Sequence, residues 1–167
     1  ATYMGSLDFD GYGLGGAFEK ENLGTIVKWV NEILPKGKPK HLLGLSEPDD
    51  IFIGIEYGAD TFDCVSPARI GRNGSIYTLD GRFSIKKAIY AEDFTPLVDG
   101  CDCYTCKNYT KAYVSHLFRA GERLAATLAT IHNEHFIVKL VADIRASIID
   151  ATFNEFKETW LARYYGK

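Results

Sequence analysis

Apolar and polar positions alternate or recur along the chain in a way that marks most of its elements before any chemistry is considered. Phe9 to Leu14 reads as a strand, closed by Gly15-Gly16. Leu23 to Leu34 follows a helical period and stops at Pro35 and Gly37. Lys40 to Leu45 is a second strand. Ser46, with Asp49 beyond it and Pro48 in the first turn, opens a helix predicted to run to about Tyr57. Thr61 to Val65 is a third short strand. Strands alternating with helices imply a parallel sheet with right-handed crossovers. Such a sheet is either open and doubly wound or part of a closed eight-fold barrel, and periodicity does not separate the two.

After Pro67 the pattern changes. Asn73-Gly74 and Asp80-Gly81 are hairpin signals that flank the strand Ser75 to Leu79, which pairs with Phe83 to Ile85. Tyr90 to Cys106 reads as loop. Long helical patterns follow, over Tyr109 to Thr130, Glu134 to Ile149 and Phe153 to Tyr164. The reading is a sheet-and-helix part over residues 1–72 carrying a hairpin and helices over 73–167, with no flexible linker between them.

Composition narrows the picture only slightly. The chain has 167 residues, 46% of them hydrophobic, and a formal net charge of -3. That balance is ordinary for a globular protein and gives no global signal for nucleic acid, although a local basic patch suffices for RNA. No run approaches the roughly 18 apolar residues of a membrane span, and no export signal is visible. The first residues read like the inside of a domain, which suggests a piece of a longer protein.

The chemistry concentrates in two places. Cys101, Cys103 and Cys106 form a Cys-x-Cys-x-x-Cys run in a polar loop. Without an export signal these thiols stay reduced, so metal ligation is the better reading than two disulfides. Three thiolates on one turn occupy one side of a tetrahedral zinc, and the fourth ligand returns from elsewhere. A continuous helix over Tyr109 to Thr130 is about 30 Å long, so spacing leaves His116, His132 and His135 all open as that ligand. Four protein ligands close the coordination sphere, which makes the site structural. Cys64, in an apolar strand, reads as a core residue.

The second place is Asp63, near the C-terminal end of the third strand, the edge where α/β sheets and barrels bind ligands. A carboxylate there can attack a sugar carbon, or it can simply cap a turn, as can Asp60 beside it. Gly13, Gly15 and Gly16 do not complete a dinucleotide fingerprint and read as a tight turn against a planar ligand. Arg69, Arg72 and Asn73 suit phosphates. Lys86, Lys87, Lys107 and Lys111 extend a basic stripe that Glu92 and Asp93 dilute.

Together, these segments resemble the tRNA-guanine transglycosylase family of bacterial type. The matching stretches are Leu7 to Tyr12, Gly15-Gly16, Phe62-Asp63-Cys64-Val65, Pro67 with Arg69, Arg72-Asn73-Gly74, Asp93-Phe94, Pro96-Leu97, the Cys-Asp-Cys-Tyr-Thr-Cys run, Arg119 to Glu122, and His132-Asn133. The pattern departs at Ala17, at Leu43-Gly44-Leu45-Ser46 and at Pro67-Ala68-Arg69.

The resemblance implies the C-terminal part of a (β/α)8 TIM-like barrel with an appended zinc-binding helical subdomain. It also implies a pentosyltransferase that exchanges guanine at the wobble position of a tRNA anticodon for a 7-deazaguanine base, preQ1 or queuine, in queuosine biosynthesis. Asp63 is then the nucleophile, and Gly15, Gly16 and Ala17 bind the base. Gly44, Leu45, Ser46, Glu47, Pro48, Asp49 and Asp50, with Ala68, Arg69, Ile70, Gly71 and Arg72, contact tRNA. The zinc ligands are Cys101, Cys103, Cys106 and His132. A cytoplasmic homodimer with tRNA as partner, away from any membrane, completes the expectation. The acid-base aspartate would lie upstream, so this stretch alone would not catalyse. The alternative is a non-catalytic zinc-containing tRNA-binding module or partner subunit on the same scaffold.

Overall fold

The computed structural model describes residues 1–16, 20–45 and 47–166. They form two compact units, Ala1–Ser66 and Pro67–Lys167. The first begins with a helical turn, α1 (Thr2–Gly5), and then runs β1 (Tyr12–Leu14), α2 (Leu23–Ile33), β2 (Lys40–Leu45), α3 (Pro48–Glu56) and β3 (Thr61–Cys64). The strands lie in the order β1-β2-β3 and both pairings are parallel. The strand-helix alternation read from the sequence is therefore present, with β1 shorter than its apolar pattern.

Period-2 alternation decides what the sheet buries. Tyr12, Leu14, Leu42 and Leu45 point inward and are 0–7% exposed. They share a core with Leu23, Val27, Leu34, Ile51 and Phe52. The opposite face carries Gly13, Leu43, Thr61 and Asp63, all exposed, and the half-buried His41. Gly13, His41 and Thr61 stand in one row across the three strands. The β2–β3 register shifts between Leu42 and Leu45. Gly44, inside that irregularity, has φ +74°, a left-handed conformation that suits glycine.

One local prediction moves and another holds. Ser46 lies outside the described residues, and the start of α3 is held one position later by a capping box: the Glu47 side chain accepts the Asp50 amide, and the Asp50 carboxylate accepts the Glu47 N–H at 2.9 Å. Asp60 is the turn residue expected of it, its Oδ2 accepting the Lys40 amide at 2.8 Å and so fixing where β3 begins beside β2.

The second unit continues with the end of α4 (Ser66–Arg72), then the antiparallel hairpin β4 (Ser75–Thr78) and β5 (Gly81–Ser84). A connecting stretch with little regular structure leads to α5 (Tyr104–Asn108), α6 (Lys111–Ala120), α7 (Arg123–Ile149) and α8 (Phe153–Tyr165). The hairpin turns at Asp80-Gly81 as the sequence implies. Asn73-Gly74 instead follows α4, a helix that the apolar pattern does not predict.

The largest correction concerns the long helices. The pattern over Tyr109 to Thr130 is not one helix. It ends at Ala120, capped by Gly121 at φ +73°, and α7 starts afresh at Arg123. The reversal packs α6 against α7, and His132-Asn133 falls inside α7 rather than between helices. Ile76, Ile85, Leu97, Val114, Leu117, Ala125, Leu128 and Ala129 form one core with Cys103 and Cys106.

Candidate metal centre and sheet-face carboxylate

Cys101, Cys103, Cys106 and His132 converge in the second unit, with their ligand atoms within 4.8 Å of one another. Cys103 sits at the N-cap of α5, where its Sγ accepts the Cys106 amide at 3.3 Å. One short helical turn thus presents two of the three thiols to the same point. Thr105, between them and fully buried, donates its hydroxyl to the Leu128 carbonyl at 2.7 Å and locks that turn onto α7. His132 lies one helical turn further along α7. Its Nδ1 is 3.7 Å from Cys101 Sγ, 3.5 Å from Cys103 Sγ and 3.4 Å from Cys106 Sγ.

The fourth-ligand question left open by spacing is settled by the reversal at Gly121, which carries α7 back past the thiols. His135 instead pairs with Asp102 at 2.8 Å. His116 is exposed on α6.

These distances fit zinc. Bonds of about 2.3 Å to sulfur and 2.0 Å to nitrogen in a tetrahedron place sulfur and nitrogen about 3.5 Å apart. The imidazole is prepared for the role: its Nε2–H donates to the Tyr77 carbonyl at 2.9 Å, which leaves Nδ1 as the ligand atom. The neighbouring Asn133 completes the support. Its Oδ1 accepts the Tyr77 amide at 3.1 Å, and its Nδ2 donates to the carbonyls of Ser75 (2.9 Å) and Pro67 (3.1 Å). Both backbone groups of Tyr77 are therefore held by one dipeptide on α7.

A hydrogen bond from Cys106 pulls the Cys103 thiol below its ordinary range, while Cys106, as donor and buried, is pushed up. Burial opposes a charge on His132, but hydrogen bonds to Cys101 and Cys103 outweigh it and raise the imidazole to about 9. With four protein ligands, three of them thiols, the cluster is suited to a structural zinc.

The first unit carries the other constellation. Asp63 extends from the open face of β3, its side chain 57% exposed. His41, on the adjacent strand, places Nε2 3.1 Å from Asp63 Oδ1 and Nδ1 2.8 Å from Thr61 Oγ1. Sequence reasoning passed over His41. The available signal was its place one residue into an alternating strand, on the same face as Thr61 and Asp63. Cys64 points to the other face and is half-buried.

Gly15 follows β1, and a Cβ there would come 2.7 Å from Leu43 Cδ1, so the bare backbone gives room to that side chain. Gly16 is described with φ +151°, and Ala17 lies outside the described residues. A cavity of about 480 Å³ runs beside β1, lined mostly by apolar groups such as Met4, Phe9, Tyr12 and Leu34. Gly13 and Gly15 reach it but Asp63 does not, so volume does not mark the chemistry here.

The remaining predicted contact residues fall into two groups. Leu45 and Pro48 are buried, and Glu47 and Asp50 cap α3. Asp49 pairs with Lys20 at 2.9 Å. Ala68, Arg69, Ile70, Gly71 and Arg72 lie on α4, with both arginines exposed. Of the basic residues, Lys111 is engaged by Asp93 at 3.0 Å and does not add to a free stripe. Among the described residues, no helix is long and apolar enough to cross a membrane.

Comparison with known proteins matches residues 1–166 to a family described as queuine tRNA-ribosyltransferase. A queuine tRNA-ribosyltransferase of Caldanaerobacter subterraneus is 47% identical over 169 residues, which cover 99% of this chain and 45% of that protein. Those of a Thermoanaerobacter species and of Streptococcus uberis are 48% and 44% identical, each over 98% of this chain and 44% of the relative. The chain thus spans a little under half the length of these relatives, and by the extent and level of the match it belongs to the queuine tRNA-ribosyltransferase family.

Proposed function

We propose that the chain is the part of a tRNA-guanine transglycosylase that carries the nucleophile and the structural zinc. In this reading residues 1–72 are the last strands and helices of a (β/α)8 barrel, and residues 73–167 are the hairpin, zinc subdomain and C-terminal helices. The observation that carries it is Asp63, standing exposed on the open face of a parallel strand within the Phe-Asp-Cys-Val segment of a chain whose residues 1–166 match the family.

A carboxylate oxygen of Asp63 attacks the ribose carbon of the wobble nucleotide. The glycosidic bond breaks, its electron pair leaves with guanine, and the tRNA stays bound as an aspartyl ester. The incoming 7-deazaguanine base reverses the sequence. Gly15, Gly16 and Ala17 offer backbone to the base. The exposed Arg69 and Arg72 meet phosphates, where a guanidinium fork fits the anion, and the segment Gly44 to Asp50 is the second tRNA-contacting stretch. Dimerisation through the zinc-bearing part belongs to the same proposal.

The test is the trapping of a covalent complex between the intact protein and a tRNA with guanine at the wobble position. The complex is expected on a denaturing gel and is expected to vanish in Asp63→Asn. Tight tRNA binding with no such complex in the wild type would favour the non-catalytic module instead.

A further inference from the structure

We propose that His41 is a positioning residue for Asp63, holding one carboxylate oxygen so that the other is aimed at the substrate and stabilising the carboxylate as it departs. The inference rests on the assignment of Asp63 as nucleophile. It comes from a three-residue relay across two strands: Thr61 Oγ1, His41 Nδ1 at 2.8 Å, then His41 Nε2 and Asp63 Oδ1 at 3.1 Å. The strand register puts His41 directly beside Thr61, and alternation puts Asp63 on the same face, so backbone geometry brings the three together.

The proton assignment follows from chemistry. A carboxylate only accepts, so Nε2 carries the proton and donates it to Oδ1. The Thr61 hydroxyl, able to donate or to accept, partners Nδ1 and fixes the plane of the ring. Oδ1 is thereby occupied, and Oδ2 is the oxygen left to form the ester.

This arrangement has an unequal effect on the two halves of the reaction. During attack, charge leaves the carboxylate, and the hydrogen bond to Oδ1 weakens. During breakdown, the incoming base loses its ring proton to a general base or to solvent, and its nitrogen bonds to the ribose carbon. The C–Oδ2 bond breaks and its electron pair returns to Asp63. Negative charge regrows on Oδ1, against an N–H already in place. His41 therefore assists release of the ester more than its formation.

The experiment uses the intact protein and tRNA with guanine at the wobble position. The covalent complex is formed, then chased with excess free guanine, and its decay is followed on denaturing gels. In His41→Phe decay is expected to slow about tenfold, the loss of one hydrogen bond to a developing charge, with KM for tRNA unchanged. His41→Gln, which keeps an N–H donor, should recover most of the rate, and Thr61→Val should fall between. Decay at the wild-type rate in both His41→Phe and Thr61→Val overturns the proposal. If His41→Phe fails to fold, wild-type decay in Thr61→Val alone overturns it. A covalent complex that persists in Asp63→Asn removes the nucleophile assignment itself, an outcome read in a different lane from the decay rates.

Discussion

His132 and Asn133 are buried to 1% exposure or less, with their polar atoms directed at thiols or at backbone groups of the same unit. His41 and Asp63, a polar pair of the other unit, are 40% and 57% exposed and touch one another, and His41 also touches Thr61. The difference separates two jobs. A buried group must be satisfied by the fold itself, because an unpaired one costs about 1–3 kcal/mol, and such a cluster serves stability. A surface pair contributes little to stability, which suits the role proposed above for Asp63.

Perturbing the two regions separately tests that contrast. The largest effect is expected from chelating the zinc or from Cys106→Ser, which leaves buried thiols and an imidazole without their cross-link. Thermal unfolding should fall by about 15 °C or more, and no change on full metal removal would refute a structural role.

Next comes Asn133→Ala. It strips partners from the Tyr77 amide and from the Ser75 and Pro67 carbonyls and should cost about 3 kcal/mol in denaturant melts. Thr105→Val removes one buried donor whose carbonyl partner keeps its helical bond. About 1 kcal/mol is expected, with a looser hold on zinc in a competition assay.

Smaller still is a pH effect. Hydrogen bonds from Thr95 and then Lys111 hold the Asp93 carboxyl at about 2. A carboxylate depressed in the folded state contributes stability above its unfolded value of about 4 and loses it as pH falls from there towards about 2. Asp93→Asn should flatten that part of the stability profile, and an unchanged acid limb would discount the contact. Smallest is Asp63→Asn, expected to shift stability by less than about 0.5 kcal/mol while abolishing the tRNA complex. A large loss of stability would place Asp63 with the structural groups.

Particular residues show how far the sequence reached. Lys40–Leu45 and the flanking strands were legible because short alternating runs between turn residues have few other uses. The thiol run was legible because three cysteines in a polar loop have a restricted chemistry. The break at Gly121 was missed although glycine is the usual helix terminator, since the apolar period continues across it. Residues 66–72 were missed as a helix because Pro67 and Gly71 argue against one, whereas packing against α7 favours it. His41 was invisible in that its partner is 22 residues away and depends on strand register.

The strand-helix alternation, the thiol donor set and the strand-end carboxylate are legible in the chain, because local periodicity and ligand chemistry are properties of neighbouring residues. Which histidine the geometry brings to the thiols, and which side chain grips Asp63, emerges from the folded arrangement alone. Those contacts are set by the reversal of a chain and the register of two strands, and neither is encoded in any short window.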